Sequence, residues 1–461
     1  MLSCLNQPKS FYKRLLFLSL PVIAQNLITT SLGFMDTFMV GLLGSDQMSA
    51  VTVANVPIFI IQLVVFGLQS GSSVLISQYW GKGDRASINR VLGIGFFVAG
   101  GISSLFALVM FCFPTGVLWL ITDNPHLGEL AAPYIQIVGF SYIFNSLSSI
   151  YIGMQRSIEN PKFGMTVFAV STACNTLGNY ILIFGKLGFP ALGIRGAAIA
   201  TLSSRVIEFL LTFGYALRCR TVPLQPRHIL RPGTAIFRSF VKYSTPVLLN
   251  ETLWGTGTSL FTVIMGHMVI SEEIIAAYTV AGSIDKLVTA SMFGVAAASA
   301  VIVGKEIGMG TSREEVFSIG KALTVVSFML GILIGITETA LYLLALRPFV
   351  LPLFKLSAAS SVICTLFIYA YSSAAPLHAF VTTVVVGVLR GGGDVRCAML
   401  IDILPLWLGT LPLLALCGLV LNAPPVVLCF VMAFEPLFKC PIGILRLRSG
   451  KWIHDVTVQA E

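Results

Sequence analysis

Charge is scarce in this sequence. Lys, Arg, Asp and Glu make up 11% of 461 residues, against roughly 25% in soluble globular domains. That deficit excludes a disordered chain and an ordinary soluble enzyme. Histidine is also rare. The five present, His126, His228, His267, His378 and His454, have no metal-ligand spacing. Nine cysteines are scattered (Cys4, Cys112, Cys174, Cys219, Cys364, Cys397, Cys417, Cys429 and Cys440) and none forms a CxxC. A secreted disulfide scaffold is therefore excluded, and the cysteines read as small buried hydrophobes. No G-x-x-x-x-G-K-[ST] run occurs, so the chain lacks that phosphate-cradling loop. No basic, aromatic-interleaved stretch occurs either, and the net charge of +9 does not read as a nucleic-acid footprint.

What fills the chain instead is apolar. Hydrophobic residues are 56% of it, and the mean hydropathy is +0.89. A helical span needs about 20 apolar residues. Such runs fall at 15–40, 50–74, 91–113, 131–152, 163–184 and 193–217, then at 243–265, 274–303, 322–346, 360–389, 398–421 and 424–445. The expectation is an all-α polytopic membrane protein with twelve transmembrane helices. A six-helix lobe over 1–217, a basic linker over 218–242, a second six-helix lobe over 243–446 and a tail over 447–461 complete the plan. Lys13 and Arg14 before the first run resemble a signal peptide. The run continues past Asp36 without an A-x-A site, so it reads as an uncleaved span.

The basic residues test this topology. With both termini in the cytoplasm, most of the 29 Lys and Arg fall on the inner side, among them Lys82, Arg85, Arg156, Arg390, Lys439 and the Arg-rich linker. The outer segments hold only Lys186, Arg195, Arg347 and Lys355. Such asymmetry is the positive-inside signature. The net positive charge is thus loop charge that sets orientation.

The two halves also repeat. Ser19-Leu20-Pro21-Val22 opens span one and Ser244-Thr245-Pro246-Val247 opens span seven. Gly81-Lys82-Gly83 follows span two, and Gly308-Met309-Gly310 follows span eight. Gly153-Met154-Gln155-Arg156 follows span four, and Gly387-Val388-Leu389-Arg390 follows span ten. Six spans per repeat is an even number, so both lobes insert in the same orientation. They are expected to be related by an axis along the membrane normal, with a cavity between them. That is transporter architecture, and the expectation is that the chain is not an enzyme. Without a nucleotide loop, its work comes from an ion gradient or from the substrate's own gradient.

Ionisable residues inside spans point to function. They are Asp36, Arg205, Glu208, Glu251, Asp285, Lys286, Glu338, Asp402 and Glu435. Asp36 lies 15 residues after Pro21, a helix bend point. A carboxylate there can bind and release H+ or Na+. Asn175 and Asn179, four apart, share a helix face, and with Thr201 on span six they offer hard oxygen ligands. The same groups also serve as interhelical hydrogen-bond glue. Glu251 follows Pro246 by five residues, with no local basic partner. It could protonate, or attract a cationic substrate while Trp254 supplies a cation–π face. Gln25, Asn26, Asn250 and His378 complete the substrate-binding candidates, and Pro21 and Pro246 are the candidate hinges. Arg205 and Glu208 are spaced to pair. Asp402, Glu338 and Glu435 lie nearer span ends and read as structural.

In this order, the residues resemble the multidrug and toxic compound extrusion (MATE) family over nearly the whole chain. The resemblance rests on Pro21 with Asp36, and on Gly81-Lys82-Gly83-Asp84-Arg85. It also rests on Asn175-Thr-Leu-Gly-Asn179, on Gly193-Ile-Arg-Gly196 leading to Thr201, and on Leu389-Arg390-Gly391-Gly392-Gly393-Asp394 followed by Trp407 and Pro412. It implies two six-helix bundles that alternate access and exchange organic cations for H+ or Na+. It implies a cation site at Asp36, Asn175, Asn179 and Thr201. The family pattern has Asp where this chain has Asn179, so one carboxylate remains, which favours proton coupling. A second family site pairs a span-seven Glu with a span-ten Asp. Here Glu251 sits about one turn nearer its proline, and the span-ten position holds Ala379 beside His378.

The function expected is secondary antiport of amphipathic organic cations in exchange for H+ or Na+, with no cofactor and with Na+ at Asp36 the one metal considered. The expected partners are small organic cations and the lipid bilayer, not nucleic acid. The protein is expected as a monomer in the cytoplasmic (inner) membrane. A flippase of lipid-linked oligosaccharides has the same two-lobe plan. It must handle pyrophosphate, and the in-span bases Arg205 and Lys286 are few for that. A major facilitator lacks support because G-x-x-x-D-R-x-G-R is absent.

Overall fold

A computed structural model describes residues 6–351 and 356–458. Cys4 and Lys355 lie outside the described residues. The first half runs α1 (Lys9–Gly41), α2 (Ser45–Lys82), α3 (Arg85–Cys112), a short α4 (Pro114–Trp119), α5 (Pro125–Ser157), α6 (Pro161–Phe184) and α7 (Ile194–Arg218). A short α8 (Pro226–Leu230) lies in the basic connection. The second half runs α9 (Thr234–Gly266), α10 (Ser271–Gly308), α11 (Arg313–Leu341), α12 (Ala358–Thr382), α13 (Val395–Pro405), α14 (Leu411–Ala415), α15 (Pro425–Ala433) and α16 (Glu435–Ser449). Among the described residues there is no strand, only an isolated bridge between Gly393 and Ile453.

Eleven helical stretches are long and apolar enough to cross a membrane. The twelfth, α9, has the length at 33 residues. Its Asn250, Glu251 and clustered Thr, Ser and Gly make it more polar. Helix starts follow local chemistry. Asp84 accepts a hydrogen bond from the Ser87 N–H at 3.0 Å, and Ser357 accepts from the Ser360 N–H at 3.0 Å; both cap orphan donors. Prolines open α4, α5, α6, α8 and α15, where a missing N–H is harmless.

Interior prolines disturb the second half. Pro405 and Pro412 each remove a donor, and the chain relaxes into π-helix over Leu406–Thr410 and Leu416–Val420. Further π-helix extends α11 over Tyr342–Val350 and α12 over Thr383–Leu389. The span expected at 424–445 breaks at Phe434, because Pro436 cannot donate within the first turn of α16. Glu435 and Lys439 lie just beyond that break, within the span. The basic stretch at 218–242 is also partly helical, since α9 begins at Thr234.

The repeat is visible in backbone bonds. After α2, the Gly83 N–H donates to Trp80 O and the Asp84 N–H to Tyr79 O. After α10, Gly310 donates to Ile307 O and Thr311 to Glu306 O. Gly83 and Gly310 share left-handed φ values of 74° and 76°. The pattern recurs after α5, where Asn160 donates to Gln155 O, and after α12, where Asp394 donates to Leu389 O. Glu159 takes φ 65° there, where its counterpart Gly393 has φ 84°.

Packing divides the chain into two compact units. One holds Ala24–Leu248. The other holds Leu249 onward together with the start of α1 up to Ile23. Helices α1 and α9 are therefore each shared, and each divides two residues after its proline, Pro21 or Pro246. In the first unit, Met39, Val40, Ala54, Ile58, Tyr134 and Ile135 belong to one buried core. In the second, Phe11, Leu15 and Leu18 from α1 pack with Val301, Ile302, Val384 and Val388. The tail is part of that core. Trp452 is fully buried, its indole N–H donates to Leu447 O at 3.1 Å, and the His454 N–H donates to Gly392 O at 2.8 Å. Of the described cysteines, Cys219, Cys364, Cys417, Cys429 and Cys440 are buried, while Cys112 is exposed, against expectation.

Candidate functional site

The first unit gathers Asp36, Asn175, Asn179 and Thr201 into one hydrogen-bonded chain. Asn179 and Asn175 lie one turn apart on α6, both 1% exposed. The Asn179 amide Nδ2 donates to Asp36 Oδ1 at 2.5 Å and to Asn175 Oδ1 at 3.0 Å. Asn175 Nδ2 reaches Thr201 Oγ1 and Ser204 Oγ, each at 3.4 Å. The chain continues from α6 to α7, where Ser171 Oγ lies 3.1 Å from Ser204 O and 3.3 Å from Glu208 Oε2 as donor. Arg205 NH1 closes on Glu208 at 2.6 Å, the i,i+3 pair expected from spacing. Asp36 itself is partly exposed, and two oxygens of the cluster, Asn179 Oδ1 and Glu208 Oε1, have no hydrogen-bond partner among the described residues.

This arrangement is a carboxylate at an accessible end backed by an enclosed polar wire. The amides and hydroxyls hold one another in place. The donor facing Asp36 is an N–H, which stabilises a negative charge on the carboxylate.

The second unit holds a larger ionic cluster. Glu251, which has no local basic partner in the sequence, is paired with a remote one. Arg390 NH1 lies 2.7 Å from its Oε1, with side chains 3% and 11% exposed. Local spacing could not reveal this, because the partners are 139 residues apart. Asn250 Nδ2 donates to Asp402 Oδ2 at 2.9 Å, and Lys439 Nζ reaches Asp402 Oδ1 at 2.6 Å and also pairs with Glu435. Asp402 and Glu435 are therefore part of the cluster and not loose span-end acids. Arg390 and Lys439, assigned from hydropathy to the inner segments, are 3% and 4% exposed. Within this cluster the three carboxylates face two bases, so each carboxylate has a cation beside it.

The remaining candidates scatter. His378 is partly exposed and feels the charges of Lys439 and Asp402. Trp254 is half-buried against the apolar core that contains Phe261, Leu406 and Phe367. Gln25 and Asn26 occupy in α1 the repeat positions that Asn250 and Glu251 occupy in α9, and both accept from Thr29 through their carbonyls. The repeat counterpart of Asp36 is Phe261, a core residue at 5% exposure. The Asp36 cluster thus has no equivalent carboxylate on α9.

A polytopic helical protein with buried ionic clusters on two homologous units belongs to the class of secondary transporters. The MatE family model matches the chain twice, over residues 21–181 and 246–415, the matches starting at Pro21 and Pro246. The chain belongs to the MatE family. It is 24% identical over 451 residues to "Probable multidrug resistance protein NorM" of Thermotoga maritima, covering 95% of this chain and 93% of that one. It is 27% identical over 413 residues to "Multidrug resistance protein MdtK" of Edwardsiella ictaluri, covering 87% and 86%. Its fold resembles an outward-facing multidrug resistance MATE family transporter of the MOP superfamily, with a TM-score of 0.85, 18% identity and 98% of both chains covered.

Proposed function

We propose that the protein is a secondary antiporter that exports amphipathic organic cations by alternating access, driven by proton entry at Asp36. The single observation that carries the coupling assignment is the Asn179 amide donating to Asp36 at 2.5 Å. A family-pattern Asp at that position would offer two further oxygens to Na+. Asn179 instead brings a neutral amide that holds Asp36 in place, so one carboxylate is left, and a proton is the cation assigned to it. When Asp36 takes a proton, the amide can turn its unpartnered Oδ1 to accept that proton's hydrogen bond. That turn withdraws the Nδ2 hydrogen bond from Asn175 Oδ1, so the wire responds to protonation of Asp36.

Family membership and the NorM and MdtK likenesses support multidrug efflux over a lipid-linked sugar flippase. In this reading Pro21 and Pro246 act as hinges, since each lies two residues from where its helix passes from one compact unit to the other. Gln25, Asn26, Asn250, Trp254 and His378 are the substrate-facing candidates. Glu251 serves through its pair with Arg390, not as a free charge. The protein works as a monomer in the inner membrane, both termini cytoplasmic and no cofactor bound.

The test is efflux of a fluorescent organic cation from proteoliposomes under an imposed pH gradient or an imposed Na+ gradient. Export driven by the pH gradient and abolished in Asp36→Asn, with expression intact, is expected. Full export by that variant refutes the role of Asp36. Export driven by Na+ alone refutes the proton assignment.

A further inference from the structure

Helices α10, α11 and α12 form a seam within the second unit. Met292, Ile334, Ala375 and Ala379 make a small apolar cluster there, edged by Val288 and Leu330. The helices α11 and α12 meet backbone to backbone. A Cβ added at Gly331 would lie 2.6 Å from Pro376 Cα, and one at Gly335 would strike Ser372 O. One turn beyond Ile334 on α11 is Glu338. The matching step along α10 from Val288 reaches Asp285, and along α12 from Ala375 it reaches Ser372 and Tyr371.

Glu338 is 1% exposed, and its Oε1 has no hydrogen-bond partner among the described residues. Asp285 is partly exposed, and its charge acts on Glu338, Tyr278 and Tyr371. Glu435 also acts on Tyr278. Lys286 is the neighbouring base. It is exposed, it projects about 100° around the helix from Asp285, and no ion pair joins it to either carboxylate among the described residues. Ser372 lies against Glu338, but its one hydroxyl hydrogen goes to Ile368 O at 2.7 Å. Two carboxylates in an apolar seam need a cation between them, since uncompensated charge is expensive inside a membrane.

We propose that Asp285 and Glu338 form a proton site of the second unit, separate from Asp36, in which the partly exposed Asp285 hands a proton to the enclosed Glu338. The unit that has Phe261 in place of Asp36 then carries a titrating site of its own on different helices. This goes beyond the antiport reading, and its test does not require transport.

The experiment is labelling of the purified full-length protein with dicyclohexylcarbodiimide, an apolar reagent for protonated carboxyls, followed by peptide mass spectrometry. Wild type is expected to carry an adduct on Glu338 that fades as pH rises and is unchanged in Asp36→Asn. Asp285→Asn is expected to lower that adduct severalfold at neutral pH, because the neighbouring charge that favours the proton is gone. No adduct on Glu338 or Asp285 under conditions that label Asp36 overturns the proposal. So does an adduct indifferent to Asp285→Asn. Protection by NaCl but not by choline chloride assigns the pair to Na+ and overturns the proton site.

Discussion

Replacing Arg390 with Met leaves Glu251 in place with its guanidinium gone. The pair is 2.7 Å apart and its side chains are 3% and 11% exposed, so water cannot take over. Removing one partner of a buried ion pair destabilises by about 3–5 kcal/mol, while replacing both with neutral groups of similar volume is often close to neutral. Arg390→Met is therefore expected to lose most of that amount. The double variant Glu251→Gln/Arg390→Met is expected to recover at least half. For domains of this size, 1 kcal/mol shifts a thermal midpoint by roughly 2–4 °C, so the single variant should fall by roughly 10 °C. The assay is the midpoint of loss of monodisperse protein on heating in detergent, read by size exclusion. Equal midpoints for Arg390→Met and the double variant would show that Glu251 does not depend on Arg390, and would refute the reasoning.

Further perturbations address the other clusters. Asn179→Asp restores the second carboxylate beside Asp36 and is expected to make export respond to a Na+ gradient in the proteoliposome assay; unchanged Na+ indifference counts against the amide as the discriminating group. Trp452→Ala empties a site where the side chain is fully buried against Gly320 and Gly392, and a loss of about 3–5 kcal/mol is expected, measured by the same heating assay. A midpoint within a degree or so of wild type would mean that the tail is not part of the core.

Some of this was legible in the sequence because it is written in one dimension. Hydropathy runs mark helices, since each must bury its own backbone polar groups in lipid. The repeat shows in Pro21 and Pro246 and in the glycines after spans two and eight, because the same turns need the same left-handed φ. The gathering of Asp36, Asn175, Asn179 and Thr201 was named from a resemblance; their roles rest on proposal and test. The pairing of Glu251 was not legible, for a physical reason. Its cation stands 139 residues away, and nothing local marks it. The burial of Lys439 was not legible, because its partners are set by packing; the carboxylates of Asp402 and Glu435 explain the buried ammonium.

The sequence by itself determined the class, the count of spans, the doubling of the chain and the residue types available to bind a cation. Those follow from the free energy of moving apolar segments into lipid and from local turn geometry, which depend on neighbours in the chain. The tertiary structure decided which charges are neutralised and which are not. Arg390 and Lys439 answer Glu251, Asp402 and Glu435, while Asn179 Oδ1 and Glu338 Oε1 have no hydrogen-bond partner among the described residues. Electrostatic compensation in a low-dielectric interior depends on distances of a few ångströms between remote segments, and such distances exist only once the helices have packed.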